Sequence, residues 1–389
     1  MGNKRVPEIR FPGFTDDWEQ RKLGDMVEFF NGKRIPIDSE KRIHGKYPYY
    51  GATGIIDYVE DYIFEGEYVL LAEDGANITT RNSPIAYLTE GKFWINNHAH
   101  IMRMMCGSNY FLLQLLEKQN YEKYNTGTAQ PKLNAKVVKN MTLNFPFKKE
   151  QEKIGEFFKE LDNTITLHQQ ELDTLKQTKQ GFLQKMFPQA GESVPEIRFP
   201  GFTDDWEQRR LGDLLIERNE QIPENEDYEL MSFVQGQGVV PKGDRYDRRF
   251  LVKDEKKKYK KTELGDFIYS SNNLETGSIG FNKRGKAVIS PVYSIFSSKG
   301  KRESEFIGIM SQRKSFINKM IRFRQGVVYG QWRIHEKDFL DIKIAVPENT
   351  EQDRIIRFFQ ELDSTITLHQ RGLETLNQTK KAFLQKMFI

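Results

Sequence analysis

One stretch of this chain occurs twice, almost letter for letter, and nothing else in it constrains the fold as strongly. Residues 6–25 read VPEIRFPGFTDDWEQRKLGD and residues 194–213 read VPEIRFPGFTDDWEQRRLGD, differing only at Lys22 and Arg210 at an offset of 188. A second pair, residues 157–187 and residues 358–388, repeats at an offset of 201. The intervals between the matched ends differ by 13 residues and share almost no sequence. Drift after a duplication blurs all segments alike. Here the division is sharp. The constant parts therefore do one job twice, and the variable parts do related but different jobs.

The second constant part is a long helix. Its apolar seam runs Ile154, Phe158, Leu161, Ile165, His168, Leu172, Leu175, Lys179, Phe182, Met186, in alternating steps of four and three. The other copy runs Ile355, Phe359, Leu362, Ile366, His369, Leu373, Leu376, Lys380, Phe383, Met387. That is a heptad pattern, which favours lengthwise packing on a partner helix. Two such seams in one chain predict that the helices pack on each other, antiparallel. Ile154 then meets Met387, His168 meets Leu373 and Leu172 meets His369. His168 and His369 read as polar residues that fix register, not as metal ligands or bases. From Ile154 to Met186 the rod is roughly 50 Å long at about 1.5 Å per residue. B-DNA advances about 34–36 Å per turn. A rod of this length is expected to hold two reading heads about one turn apart, or slightly more. Pro188 and the Gln-Ala-Gly-Glu-Ser stretch end the first helix.

The first variable segment, roughly residues 26–147, is rich in Gly, Tyr, Asn and β-branched residues. YPYYGATGIIDYV, EYVLLAE and KFWINNHAHIMRM read as strands between turns, and NYFLLQLLEKQ as a short helix. In the third, alternation sets Trp94, Asn96, His98 and His100 on one face, with Phe93, Ile95, Ala99 and Ile101 mainly on the other. A polar loop, Thr126–Lys132, follows. The second variable segment, roughly residues 214–349, has a basic run from Arg245 to Lys261 and an Asn-rich turn at residues 271–273. It has strands such as KAVISPVYSIF and a loop at residues 324–331. Gln130 and Gln331 share the 201 offset, so the two loops match.

Composition excludes more than it proposes. Lys and Arg total 59 against 55 for Asp and Glu, a net charge of +4, too mild to announce nucleic acid by itself. Any DNA-binding surface must come from segregated charge. Cys106 is the one cysteine; it makes no internal disulfide or zinc cage, fits a reducing cytoplasm, and is expected in a core. No apolar stretch suits a membrane span and the first residues lack a signal core. Asn144-Phe145-Pro146-Phe147 differs from an amino-methyltransferase motif at its second residue and reads as a strand end. Gly280–Ala287 lacks the hydroxyl residue of a phosphate loop and leads into β-like sequence. His98 and His100 have no accompanying cluster of metal ligands. No metal site and no catalytic residue is expected.

The whole layout resembles the specificity subunit of Type I restriction–modification systems. The resemblance rests on the duplicated EIRFPGF-x-x-x-WE-x-x-x-LGD lead segment, the PYYGATGIIDYV and YVLLAEDGA stretches, the GTAQPKL loop, and the duplicated LD-x-x-I-x-LHQ…FLQKMF helix. It implies an α+β protein, with two mixed α/β target recognition domains joined by two long antiparallel helices in a pseudo-two-fold repeat. The expected segments are 1–147, 148–188, 189–349 and 350–389, each domain with its lead segment alternating with a spacer helix. It implies a non-catalytic subunit that reads a split site on double-stranded DNA across a nonspecific gap. Its partners would be two modification subunits, which methylate adenine with S-adenosylmethionine. Two restriction subunits, driven by ATP and Mg2+, would complete the complex. The chain itself would bind no cofactor and would be cytoplasmic.

Reading residues do not carry over from the family, so candidates come from side-chain chemistry. In the first domain they are Lys33, Arg34, Thr80, Arg81, Asn82, Gln130 and Lys132. In the second they are Arg245, Arg248, Arg249, Asn272, Asn273, Arg324, Tyr329, Gln331 and Arg333. Partner docking falls to the outer helix faces and to Phe11, Phe14, Phe199 and Phe202. Three other readings stay open: a coiled-coil scaffold that never touches DNA, an enzyme with an unrecognised site, and a specificity subunit of a fused or otherwise organised methylase–nuclease.

Overall fold

A computed structural model describes residues 6–234, 236–241, 257–272, 274–275, 278–326 and 332–389. The chain forms two compact units: one runs up to Gln170 and takes in Gln370–Ile389, and the other is Glu171–His369. The two constant helices, Lys148–Lys185 and Asn349–Lys386, are each 38 residues long. Each gives its first part to one unit and its last part to the other. A unit is thus one variable domain, the start of its own helix and the end of the other repeat's helix. Among the described residues, no helix is long and apolar enough to cross a membrane.

The helices start and stop where local chemistry dictates. Proline precedes each start, and its carbonyl accepts a hydrogen bond from a buried glutamine one turn on: Gln151 Nε2 to Pro146, 2.8 Å, and Gln352 Nε2 to Pro347, 2.9 Å. Glu150 and Glu351 in the first turns complement the positive end of the helix dipole.

In the first unit, Glu19–Lys22 pairs antiparallel with Thr142–Phe145, closing the variable domain at its two chain ends. The Asn144–Phe147 stretch is therefore a strand end. A four-stranded sheet has the order Val27–Phe29, Ala99–Met104, Tyr68–Ala72, Ala86–Thr89. Asn109–Lys118 covers one face, with Phe111, Leu112, Leu115 and Leu116 buried. A second sheet has the order Gly54–Val59, His44–Gly51, Lys92–Ile95, Phe64–Glu65. The residues read as one alternating strand over 92–104 form two strands in two sheets, broken at Asn96–His98. His100 is consequently buried, not on a shared exposed face with Trp94 and His98. Cys106 is exposed, not in a core: the chain turns there, with Gly107 at φ 107°.

The second unit repeats the closing strand pair and the first sheet with other residues, and its remaining strands form smaller sheets. Glu207–Arg210 pairs with Lys343–Val346. Its four-stranded sheet has the order Leu215–Glu217, Ser294–Ser298, Phe267–Tyr269, Ile279–Phe281, the same succession of strands as in the first unit. Glu303–Met310 packs on it through Phe306, Ile307 and Ile309. Ala287–Ile289 is a strand, so no phosphate-binding helix follows Gly285.

Candidate nucleic-acid interface

The frame that presents the variable domains is built identically in each unit. In the first, the Arg10 guanidinium donates two hydrogen bonds to Glu150, at 2.6 and 2.7 Å, with the carboxylate only 1% exposed. In the second, Arg198 does the same to Glu351, also 1% exposed, at 2.7 and 2.8 Å. Each carboxylate raises the pKa of its arginine chiefly through that hydrogen bond. The lead segment also holds the end of the other helix. Ile9 N–H donates to the Lys386 carbonyl and Ile197 N–H to that of Lys185, both at 2.9 Å. The duplicated lead is therefore a clip that grips one helix start and one helix end.

Within each unit the two helix segments run antiparallel. Phe157 meets Phe383 at 5.0 Å and Asp162 meets Lys380 at 2.6 Å in the first. Phe358 meets Phe182 at 4.9 Å and Asp363 meets Lys179 at 2.6 Å in the second. Ile154 and Met387 lie in one core cluster. Every seam residue is buried or half-buried: Leu161, Ile165, His168, Leu172, Leu175 and Lys179 on the first helix, and Leu362, Ile366, His369, Leu373, Leu376 and Lys380 on the second, besides the aromatic and methionine positions. Lysine occupies a seam position because an aspartate of the opposing helix faces it.

Those two aspartates also seat the variable domains. Asp162 accepts from Tyr110 Oη at 2.7 Å and Gln114 Nε2 at 3.3 Å. Asp363 accepts from Lys283 at 2.6 Å. One frame carboxylate thus receives unlike side chains from unlike domains. Burial alone pushes Asp363 up, but Lys179 and Lys283 outweigh it and hold the carboxyl below its ordinary range. Burial and Asp162 together push the Tyr110 hydroxyl up.

On the first domain, the Thr126–Lys132 loop is tied down at both ends. Thr126 N–H donates to the Lys132 carbonyl (2.8 Å), and Gly75 N–H to that of Pro131 (3.0 Å). Asn125 Oδ1 accepts from the amides of Gly127 and Lys132. The tip, including Thr128 and Gln130, is left exposed. Beneath it Glu73 accepts from Arg34 at 2.7 Å and lies 3.7 Å from Lys132. Buried His100 is neutral by its hydrogen bonds: Nε2–H donates to the Leu133 carbonyl (2.7 Å), and Nδ1 accepts from Asn31 Nδ2 (2.9 Å), whose Oδ1 is taken by Ile101 N–H. Burial is also what lowers its pKa. Beside the loop opens a cavity of about 270 Å3 lined by residues of the GATG, EDGAN and NNH stretches. On the second domain, Trp332 N–H donates to Asn272 Oδ1 (2.7 Å), and Arg324 pairs with Glu275 under Trp332.

Comparison with known proteins decides the family. The profile of the Type I restriction modification DNA specificity domain matches twice, over residues 15–177 and 203–378. The chain belongs to that family. Among its relatives, a putative type I restriction enzyme specificity subunit of Haemophilus influenzae is 25% identical, covering 98% of this chain and 96% of the relative. The MjaVIII specificity subunit of Methanocaldococcus jannaschii is 22% identical, covering 99% and 93%. The crystal structure of the S subunit from M. genitalium shares the fold, with a TM-score of 0.69, 13% identity and 99% of both chains covered.

Within this specificity-family fold, the candidate reading residues divide by what they touch. Lys33, Thr80, Asn82, Gln130 and Lys132 are exposed. Arg34 is engaged inside the domain by Glu73 and by the Asn97 and Ala99 carbonyls. Arg81, at φ 50°, is held by Glu117 and lies over Tyr121. In the second domain Asn272 and Arg333 are exposed, while Arg324 is largely covered. Arg245, Arg248, Arg249, Asn273, Tyr329 and Gln331 lie outside the described residues. Phe11 packs edge-on against Phe157 and Phe199 against Phe358, so internal packing accounts for their repetition. Phe14 and Phe202 are half-buried. Sequence reading passed over Glu150, Glu351, Asp162 and Asp363. Their presence at the same helix positions in both copies was the available signal.

Proposed function

We propose that this chain is the DNA-reading subunit of a Type I restriction–modification complex, with one half of a split DNA site read by each variable domain. The observation that carries this is the pairing of one frame, duplicated down to its ion pairs, with two domains that share one four-stranded sheet and differ in their other sheets and side chains. The frame fixes where reading occurs and the domains fix what is read. The subunit is non-catalytic. Adenine methylation and cleavage belong to two modification and two restriction subunits, which bring S-adenosylmethionine, ATP and Mg2+. Two equivalent docking surfaces call for two equivalent partners. The exposed outer helix faces suit that docking: Leu167 and Leu368, at repeat-related positions, are 56% and 71% exposed. Large apolar side chains kept in solvent twice are what a partner helix would cover.

The test is methylome sequencing of cells carrying the chain with its neighbouring methyltransferase, against cells lacking the chain. A split N6-methyladenine motif that disappears with the chain is the expected result. No chain-dependent motif in an active system would favour a scaffold. Exchanging residues 214–349 for another variable segment should change one half-site only. Deleting one heptad from both helices should shorten the gap and leave both half-sites intact.

A further inference from the structure

The cavity beside the Thr126–Lys132 loop has the features of a reading pocket. Its lining includes Gly51, Ile56, Asp74, Gly75, Asn96 and His98. Asn96 is only 6% exposed, yet its amide is half used: Oδ1 accepts from His98 N–H at 2.8 Å. That bond sets the amide's orientation and turns Nδ2 towards the glycine floor, where a Cβ on Gly51 would lie 3.3 Å from it. Among the described residues Nδ2 has no hydrogen-bond partner. That donor opens into a cavity with mainly apolar walls, so its direction is fixed and it is free to meet a ligand edge. Asp74, beside it, accepts from His98 Nδ1 at 2.8 and 3.0 Å and retains acceptor capacity. Ile56 supplies an apolar wall. Gly75 ties the pocket to the exposed Gln130 loop through its bond to the Pro131 carbonyl.

We propose that this pocket reads the major-groove edge of one adenine in the half-site of the first domain. Asn96 Nδ2 donates to N7, and the acceptor side formed by Asp74 takes the N6 amino group. A fixed donor next to an acceptor complements adenine, whose edge offers an acceptor beside a donor. Guanine offers two acceptors and sets its O6 against the carboxylate. This rests on the DNA-reading role proposed above.

The experiment uses the full chain with its methyltransferase partner and duplexes carrying the motif found by methylome sequencing. Placing 7-deazaadenine at each adenine of the first half-site in turn removes only the N7 acceptor. At one position, binding is expected to weaken roughly 5- to 150-fold. Asn96→Asp, which keeps the bond to His98 N–H but loses the donor, should then bind natural and 7-deaza DNA equally at that position. The second half-site should be read as before, which reports that the chain is folded. Unchanged binding of every 7-deaza duplex, or an undiminished 7-deaza effect in Asn96→Asp, would overturn the pocket. Failure of the wild-type chain to direct any motif would overturn the DNA-reading role instead.

Discussion

The constant frame and the variable domains solve opposite problems within the same chain. In the frame, each contact recurs with its geometry: Arg10–Glu150 and Arg198–Glu351, Phe157–Phe383 and Phe182–Phe358, Asp162–Lys380 and Asp363–Lys179. In the domains the strand order of one four-stranded sheet recurs, with an aromatic seat on the frame, Phe111 against Trp18 and Phe306 against Trp206, while the other sheets differ. The frame thus repeats its side chains, whereas the domains repeat mainly the backbone topology of that sheet. The polar part of the junction is tolerant: Asp162 takes Tyr110 and Gln114 where Asp363 takes Lys283. A carboxylate accepts from hydroxyl, amide or ammonium alike. That versatility suits a socket that must hold unrelated domains.

The largest expected effect tests the identity of the two clips. Glu150→Ala leaves the Arg10 charge buried without its partner and should cost about 3–5 kcal/mol. Glu351→Ala should cost the same in the second unit. Urea unfolding of each variant, followed by hydrogen exchange resolved by segment, gives both numbers. A difference above about 1 kcal/mol between the two would show that the frame is duplicated in sequence but not in energetics.

A smaller effect separates the junctions. Asp363→Asn leaves two lysines facing a neutral amide and should cost about 2 kcal/mol. Asp162→Asn still offers an oxygen to Tyr110 and loses mainly the attraction of Lys380, at about 1 kcal/mol. Equal losses would mean that the variable domains contribute nothing to the seating of the frame.

How far the sequence disclosed this follows from the same contrast. The heptad seam was readable because apolar spacing maps directly onto one helix face, and its register of Ile154 against Met387 agrees with the shared core. The lead segment was visible as a repeat, but the use of Arg10 and Arg198 was not. Their partners lie 140 and 153 residues away, and no local pattern encodes such a pairing. The strand over residues 92–104 misled because Phe93 to Ile101 alternates as one strand does, while Asn96 and His98 bend the chain between two sheets. Cys106 misled because cysteine is usually buried, and the turn at Gly107 overrides that habit. Cationic side chains were easy to nominate from sequence. Whether an arginine faces solvent or braces a loop depends on acids such as Glu73 and Glu117, brought near only by folding.

The smallest effect distinguishes the two domains by acid. His100 sits buried in the strand Ala99–Met104, neutral, with both ring nitrogens engaged. Burial lowers its pKa, and the opposing pull of Glu73 does not reverse that. The matching strand of the second unit, Ser294–Ser298, carries no histidine. A group whose folded pKa lies below its unfolded value of about 6.5 binds more protons when unfolded. Its contribution to stability is thus fully present above about pH 6.5 and is lost as pH falls through the folded value. Between pH 7 and 5.5, hydrogen-exchange protection should fall in Ala99–Met104 before it falls in Ser294–Ser298. His100→Gln should remove the difference, because a glutamine amide does not titrate. Equal acid sensitivity of the two strands in the wild-type chain, or a difference that survives in His100→Gln, would place the acid-sensitive group elsewhere.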